Sequence, residues 1–302
     1  MKRAIPSLLL VLLLQLTLVA IVYWPATDTR PAATNSPLPA LNVDRVDRLT
    51  ITDGEGAQAR LEKIAGRWQL PELHMLPADP EKVTKLFDTL LNQANNWPVA
   101  NSVAARQRFE VADYLFRRKV ELFAEDESLG AVYLGSSPGF RKVHTRVAGQ
   151  SDIRSLTFNV HDAPARSGAW IDPKLLQVRT PMRIDADAYS VHREGGQWQS
   201  GTGGEPDQRE LLALLTALRT LRVQGVAVSA RVATLADTEA ELVLDIDSLS
   251  GRLQLSLFQK DGRYFIRSSE FAATFRLSAY DFDRLTGINF LLISGHVDNG
   301  AR

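Results

Sequence analysis

Three short sequence patterns occur twice in this chain, in the same order and at nearly one spacing. The pairs are Gly66-Arg67-Trp68 with Gly196-Gln197-Trp198, 130 residues apart, Pro80 with Pro206, 126 apart, and Val99-Ala100-Asn101-Ser102 with Val226-Ala227-Val228-Ser229, 127 apart. Ordered matches near one offset indicate a duplicated structural unit. The sequence therefore predicts two tandem copies of one α+β unit, the first over residues 43–178 and the second over residues 179–302.

Each copy is predicted to start with a β-hairpin and continue into a helix. Residues 48–52 and 57–64 alternate apolar and polar side chains, which is the period of a strand, and Asp53-Gly54-Glu55-Gly56 between them favours a tight turn. Asp79-Pro80 suits the start of a helix, because Asp caps free N–H groups and Pro fits the first helical position. The matching helix of the second copy is predicted over residues 206–222.

Each copy is predicted to end in an antiparallel meander of short strands. These strands are expected at residues 119–124, 131–135, 140–147 and 154–160, and again at 241–246, 252–258, 263–268 and 273–277. Ser278-Ala279-Tyr280-Asp281 has the form of a capping box and predicts a short helix. The tail, residues 289–302, is expected to contain a final strand.

The N-terminal apolar run Ile5–Trp24 predicts a transmembrane anchor over residues 1–24. About twenty apolar residues can cross a hydrocarbon core of about 30 Å as a helix. Lys2 and Arg3 precede the run, and positive residues stay on the cytoplasmic side, so the bulk of the chain is expected outside the inner membrane, in the periplasm. A cleaved secretory signal is the competing interpretation, and it predicts the same compartment.

Composition narrows the classes of site that the chain can carry. Lys+Arg and Asp+Glu are equal at 35 each, so net charge does not point to nucleic acid. The absence of cysteine excludes disulfides, thiolate metal sites and a cysteine nucleophile. Residues 25–42 contain four prolines and few large apolar side chains, which predicts a linker between the anchor and the first copy.

The sharpest literal motif is Gly135-Ser136-Ser137-Pro138-Gly139, a G-x-S-x-G pattern. In hydrolases this pattern lies on a strand-to-helix turn that exposes the nucleophilic serine. Here the following residues, FRKVHTRV, have the pattern of a strand, and Pro138 removes an N–H group that an oxyanion hole would use. His144, His161 and Asp162 are the available partners, but no spacing demands them. The motif therefore favours a hairpin turn over a nucleophile at Ser137.

Four further groups of polar residues have the composition of possible ligand sites. They are the loop Gly201-Thr202-Gly203-Gly204, the five histidines (74, 144, 161, 192 and 296), the acidic residues at 185, 187 and 125–127, and the basic run Arg117-Arg118-Lys119. The loop lacks the Lys-Ser/Thr pair of a P-loop, and the histidines lack ligand spacing. The acids lack an EF-hand loop, and the basic run lacks interleaved aromatic residues. The sequence therefore predicts no catalytic residue, no cofactor, no metal and no nucleic-acid partner.

The order of motifs resembles that of a bacterial family, the domain of unknown function 4340. The matching segments read VDRLTI, ARLEKIAGRWQL, PADPEKVTKLFDTLL, VYLG and AWIDPKLL, between residues 46 and 176. The resemblance implies a membrane segment followed by repeated hairpin–helix–sheet units. It also implies an accessory subunit associated with gliding-motility-type ABC transporters, with no established catalytic residues.

Anchor, linker, repeat and resemblance together predict a non-enzymatic, membrane-anchored accessory or binding protein of the periplasm, partnered with an ABC-type transporter. One alternative is an envelope hydrolase that uses Ser137. Another is a module that binds a small ligand in the cleft between the two lobes, because such clefts are common ligand sites.

Overall fold

The computed structural model describes residues 43–91, 97–228 and 238–295, together with Leu12, Gln15 and Leu235. The predicted anchor Ile5–Trp24 and the linker 25–42 lie outside the described residues, apart from Leu12 and Gln15. In the part of the chain that is described, no helix has the length and apolar character needed to cross a membrane. The described residues from 43 onward belong to one compact unit of mixed helix and antiparallel sheet, so the fold is α+β.

The first half of this unit is built on a sheet of eight antiparallel strands in the order β10-β9-β8-β7-β1-β2-β3-β4. The strands are β1 Arg48–Asp53, β2 Gln58–Ile64, β3 Arg67–Leu70, β4 Leu76–Pro77, β7 Arg118–Ala124, β8 Glu127–Leu134, β9 Lys142–Val147 and β10 Ile153–Thr157. A separate small hairpin consists of β5 Val111–Ala112 and β6 Leu115–Phe116. Two helices, α1 Pro80–Leu91 and α2 Val103–Arg108, complete this half.

Local sequence explains why the first hairpin and helix form. The Asp53 carboxylate accepts hydrogen bonds from the N–H groups of Glu55 and Ala57, at 3.0 and 2.9 Å, and so closes the predicted turn. The Asp79 carboxylate accepts from the N–H groups of Glu81 and Lys82 at the start of α1. The apolar side chains of α1 and of the strand face beneath it then share one core.

The second half is built on a sheet of seven antiparallel strands in the order β13-β12-β11-β14-β15-β16-β17. The strands are β11 Pro181–Asp185, β12 Ser190–Glu194, β13 Gln197–Ser200, β14 Leu242–Ser248, β15 Gly251–Lys260, β16 Arg263–Ser268 and β17 Phe271–Leu277. The helices are α3 Gln208–Thr220, α4 Ala279–Thr286 and α5 Phe290–Ile293. Helix α3 begins after the capping carboxylate of Asp207, so Pro206 lies just before it.

The two sheets share one strand order once the short strand β4 is left aside. In each sheet, three strands precede the long helix and four follow it. Counted along the chain, the first and the fourth of the seven strands are neighbours in the sheet. The paired sequence patterns occupy matching places. Trp68 lies in β3 and Trp198 in β13, while Ala100 bridges to Ile153 of β10 and Val226 bridges to a residue of β17.

A short connection joins the halves through backbone hydrogen bonds. The Val178 N–H donates to the Leu218 carbonyl at 3.1 Å, and the Val223 N–H donates to the Pro173 carbonyl at 2.9 Å. One cluster of buried apolar side chains includes members of both sheets, with Trp170 fully buried near the junction. The second half is therefore held against the first by main-chain contacts and by a shared core.

The tail differs from its predicted structure. Residues 290–293 form the helical turn α5, so the prediction of a strand is wrong over the described part of the tail. The Asn289 carboxamide oxygen accepts from the N–H groups of Leu291 and Leu292, at 3.1 and 3.2 Å, which caps a helix. Gly295, at a φ of 74°, then lies in the left-handed region that ends a helix.

Two elements between α1 and β7 were not predicted at all. Helix α2 is capped by the Ser102 hydroxyl, and the β5–β6 hairpin follows it. Phe116 of the hairpin packs on Tyr133 of β8, with ring centroids 5.6 Å apart. The buried Arg146 of β9 donates to the Val111 carbonyl at 2.7 Å and to the Asp113 carboxylate at 2.8 Å. This insertion therefore covers the outer face of the first sheet near β8 and β9.

Candidate functional site

The G-x-S-x-G segment connects β8 to β9, so the predicted hairpin turn is confirmed. The Ser137 hydroxyl lies 2.6 Å from the Gly139 carbonyl and 2.7 Å from the Lys142 carbonyl, so it closes the turn as a donor. A Cβ at Gly135 would lie 2.0 Å from the Phe109 carbonyl oxygen, so only glycine fits there. Gly135 and Ser137 are therefore explained by backbone packing and by hydrogen bonds in the turn.

The only residue of the predicted hydrolase set that contacts this segment is His144, and it contacts Ser136 instead of Ser137. Its Nδ1 lies 3.1 Å from the Ser136 hydroxyl and 3.0 Å from the Ser136 carbonyl oxygen. The ring is buried and stacks on Phe109 at 4.1 Å between centroids. Burial lowers the pKa of His144, with Arg108 adding to the effect, so the neutral ring is favoured. Because Nδ1 is within hydrogen-bond distance of both Ser136 oxygens, the His144 ring connects β9 to the turn.

The remaining predicted partners are dispersed. Asp162 pairs with Lys85 of α1 at 2.9 Å, and His161 lies in the same short 3-10 turn. Asp185 ends β11, where hydrogen bonds from Arg183 and Ser190 lower the pKa of its carboxyl group against the effect of burial, and Asp187 lies beyond the strand. Among the described residues no group of three or more acidic or histidine side chains could hold a metal ion.

The glycine loop and the basic run are tied into the fold by hydrogen bonds. The Thr202 hydroxyl donates to the Ser294 carbonyl at 2.8 Å, which attaches the glycine loop to the tail. In the basic run, Arg117 pairs with Glu110 at 2.5 Å and Lys119 with Glu121 at 2.6 Å. These contacts give both segments a structural role.

A charged cleft of about 580 Å³ lies on the outer face of the second sheet. Arg183 pairs with Asp185 at 2.6 Å, Arg252 pairs with Asp247 at 2.5 Å, and the Gln254 amide donates to the remaining acid, Asp245, at 2.9 Å. Each carboxylate is thus already bound by a neighbouring side chain. Exposed ion pairs of this kind contribute little energy and are typical of a solvated face.

An apolar groove of about 410 Å³ lies between strand β13 and helix α3. Trp198 of β13 lines one side, and Leu211, Leu212 and Leu215 of α3 line the other. Leu212 is 66% exposed, so its side chain meets solvent at the border of the groove. A second cavity, of about 540 Å³, lies on the other side of Leu212 and reaches Ile288.

Helix α5 extends this apolar surface beside the first turns of α3. The Asp207 N–H donates to the Leu292 carbonyl at 3.1 Å, and the Asn289 N–H donates to the Glu210 carboxylate at 2.9 Å. Leu212, Phe290, Leu291 and Leu292 are each between 40% and 66% exposed, and we call them the α3–α5 patch. Apolar side chains grouped on a surface in this way mark contact sites for other molecules.

The family model for the domain of unknown function named DUF4340 matches residues 68–245, which is more than half of the chain. The chain belongs to the DUF4340 family. The predicted resemblance to this family is therefore confirmed, while its association with an ABC transporter stays a prediction. No curated protein and no solved structure matches the chain.

The DUF4340 match covers parts of both sheets, from β3 through β14. It includes Trp198 and helix α3, which form the groove, and it ends before α5, which supplies most of the α3–α5 patch. The sequence predicts helix α3, and Gly196-Gln197-Trp198 is recognised there as the second copy of a repeated pattern, but neither is assigned to a groove. No feature of the sequence indicates that Leu212 is exposed. Leu212 is not among the buried residues of α3, and it lies next to the buried Leu211 at the border of the core-facing side of the helix.

Proposed function

We propose that this DUF4340 protein is a membrane-anchored binding protein that works outside the cytoplasm and carries out no chemistry of its own. The observation that carries the proposal is the α3–α5 patch. Leu212 of this patch lines two cavities, and three successive residues of α5 expose apolar side chains. A surface of this kind is stabilised when a partner covers it, because burial removes apolar area from water.

The proposed organisation is an anchor over residues 1–24, a linker over 25–42 and two tandem copies of one unit over 43–178 and 179–302. The shared strand order of the two sheets supports the duplication. The length of the apolar run Ile5–Trp24 and the two cations before it support a single crossing with the folded part in the periplasm.

The proposed partner is a subunit of an ABC-type transporter in the same bacterial inner membrane. Two points support this partner. The family resemblance implies an association with ABC transporters, and the predicted anchor would hold both proteins in one membrane. The hydrolase that uses Ser137 and the ligand module between the lobes stay as alternative predictions. The three cavities described above are each lined by residues of the second half.

Crosslinking of the full-length protein in intact membranes tests the proposal. We expect one membrane protein to be recovered with the wild type, and to be lost when residues 1–24 are exchanged for a cleavable signal. Leu291→Asp, in the patch, should weaken recovery, whereas Leu249→Asp should not, because Leu249 is 74% exposed in the β14–β15 turn. Recovery of the folded protein alone from such membranes would refute the proposed function.

A further inference from the structure

The turn between β8 and β9 carries the most exposed large apolar side chain of the described residues. Phe140, at the tip of this turn, is 88% exposed. Its ring contacts the guanidinium group of the next residue, Arg141, which lies 5.2 Å from the ring centroid. Single exposed apolar residues are common on protein surfaces, so exposure alone does not assign Phe140 a role.

The second half shows that the fold does not need this turn in its long form. The matching strands of the second sheet, β15 and β16, are joined by the two residues Asp261-Gly262, whereas β8 and β9 are joined by the seven residues 135–141. The short turn contains no apolar side chain. The turn of the first half is therefore five residues longer than the repeated unit requires, and Phe140 belongs to this added length.

The residues around Phe140 are basic. Arg141 and Lys142 follow it directly and are exposed, as is Arg108 at the end of α2. None of these three cations pairs with a carboxylate within the described part of the chain. The sequence also has no acidic residue from 128 to 151. Because the charges of the whole chain balance, this turn is a local concentration of positive charge.

Hydrogen bonds hold the turn in place beside the end of α2. The Ser136 N–H donates to the carbonyl of Phe109, the residue that caps α2, at 2.9 Å. Within the turn, the Ser137 hydroxyl lies 2.7 Å from the Lys142 carbonyl oxygen, to which it donates. The tip with Phe140 therefore keeps its shape although no core packing supports the ring, and a preorganised tip loses little conformational entropy when it binds.

We propose that this turn docks on the surface of an anionic membrane. Phe140 inserts at the boundary between headgroups and acyl chains, and Arg108, Arg141 and Lys142 contact lipid phosphates. The inference rests on the anchoring part of the proposed function and adds which end of the first sheet faces the bilayer. Membrane binding of this kind combines burial of apolar area with attraction between basic side chains and anionic lipids. The turn offers both in one place.

The predicted linker is long enough to allow this orientation. The chain enters the first sheet near Asp47, whose N–H donates to the Phe123 carbonyl at 3.1 Å. The turn lies at the other end of β7, where Arg118 is opposite Leu134, and this end is about 17 Å from Phe123 at about 3.4 Å per residue. A proline-rich linker over residues 25–42 spans about 50 Å when extended, so it exceeds the distance that has to be covered.

A protein partner is the competing occupant of this turn. A specific protein interface buries about 800 Å² on each side, and the apolar part of the turn is a single ring. A membrane needs much less contact, because an anchor in the same membrane keeps the local concentration of lipid surface high. The lipid surface is therefore favoured.

A fluorophore beside Phe140 tests the inference in the full-length protein. The chain has no cysteine, so Gly139→Cys creates a single labelling site, and a Cβ at Gly139 has no atom within 4 Å. The protein, labelled with the environment-sensitive dye NBD, is placed in nanodiscs of phosphatidylglycerol and, separately, of phosphatidylcholine. We expect the emission to shift to shorter wavelength and to rise in phosphatidylglycerol. The same dye on Leu249→Cys, in the exposed β14–β15 turn, should show no shift.

Variants in the labelled protein separate the apolar from the charged contribution. Phe140→Ser should lower the ratio of docked to undocked protein about ten-fold, because the ring is no longer buried by lipid. Leu249→Ser is the matched control and should leave the ratio unchanged. The double variant Arg141→Ala with Lys142→Ala should remove the difference between the two lipids, and high salt should have the same effect. Phe140, Arg141, Lys142 and Leu249 are all exposed, so none of these changes removes core packing.

The remaining outcomes keep this inference apart from the proposed function. If the nanodiscs hold the protein but the emission stays unchanged, the inference is overturned and the proposed function stands. A shift in native membranes that is absent in phosphatidylglycerol nanodiscs would assign the turn to a protein partner and would also overturn it. If the nanodiscs do not retain the protein, the anchor of the proposed function fails. Vesicles of phosphatidylglycerol mixed with the labelled protein then decide the inference alone: a shift supports it, and no shift overturns it.

Discussion

Replacing Gly135 with alanine should destabilise the protein strongly, although Gly135 belongs to a surface turn. The new Cβ would lie 2.0 Å from the Phe109 carbonyl oxygen and 2.6 Å from the Glu110 carbonyl oxygen. Both are backbone atoms, so the segment that carries Phe109 must move away from β8. That movement breaks the hydrogen bonds from the Ser136 N–H, at 2.9 Å, and from the Ser136 hydroxyl, at 3.2 Å, to Phe109.

The magnitude follows from these two effects. Overpacking at a fixed site costs about 1–3 kcal/mol, and each of the two lost hydrogen bonds costs about 1 kcal/mol, so we expect a total of about 3–5 kcal/mol. For a protein of this size, 1 kcal/mol lowers the melting temperature by about 2–4 °C, which predicts a decrease of about 6–20 °C. Thermal unfolding followed by circular dichroism measures it directly.

Gly139, at the other end of the same pentapeptide, is the matched control. A Cβ there has no atom within 4 Å, and its backbone is outside the left-handed region. Gly139→Ala should therefore leave the melting temperature within about 2 °C of the wild type, because its only effect is a small loss of freedom in the unfolded chain. If the two variants melt together, the steric argument is wrong.

Three further predictions follow from the same part of the molecule. Because burial holds the pKa of His144 below its ordinary value, the unfolded chain takes up the proton first as the pH falls. The free energy of unfolding should therefore decrease as the pH drops below about 6.5, and His144→Asn should flatten that slope in melting temperatures measured from pH 7 to 5. Ser137→Ala should leave the function of the protein in cells and its partner recovery in membranes unchanged, and a loss of function with normal folding would favour the hydrolase. Arg146→Met should cost about 1–3 kcal/mol in denaturant unfolding, since it leaves the buried Val111 carbonyl without its donor. Asp113→Asn should cost less than about 1 kcal/mol, because the Asp113 side chain is 67% exposed and water replaces Arg146 there.

The parts of the fold that could be predicted are those where one physical preference acts over many residues. Strand alternation and the apolar stripe of α1 extend over whole elements, so their existence was clear from the sequence. The capping box at Ser278 was also predicted, and its hydroxyl accepts from the Asp281 N–H at 3.0 Å. In each case the local signal and the tertiary packing favour the same structure.

The missed elements are short, and tertiary contacts decide them. Strand β4 has two residues, and a single turn such as α5 depends on one capping side chain, Asn289. The insertion with α2 and the β5–β6 hairpin packs on Arg146 and Tyr133, which follow it in the chain by more than fifteen residues. No pattern within a short window carries that information.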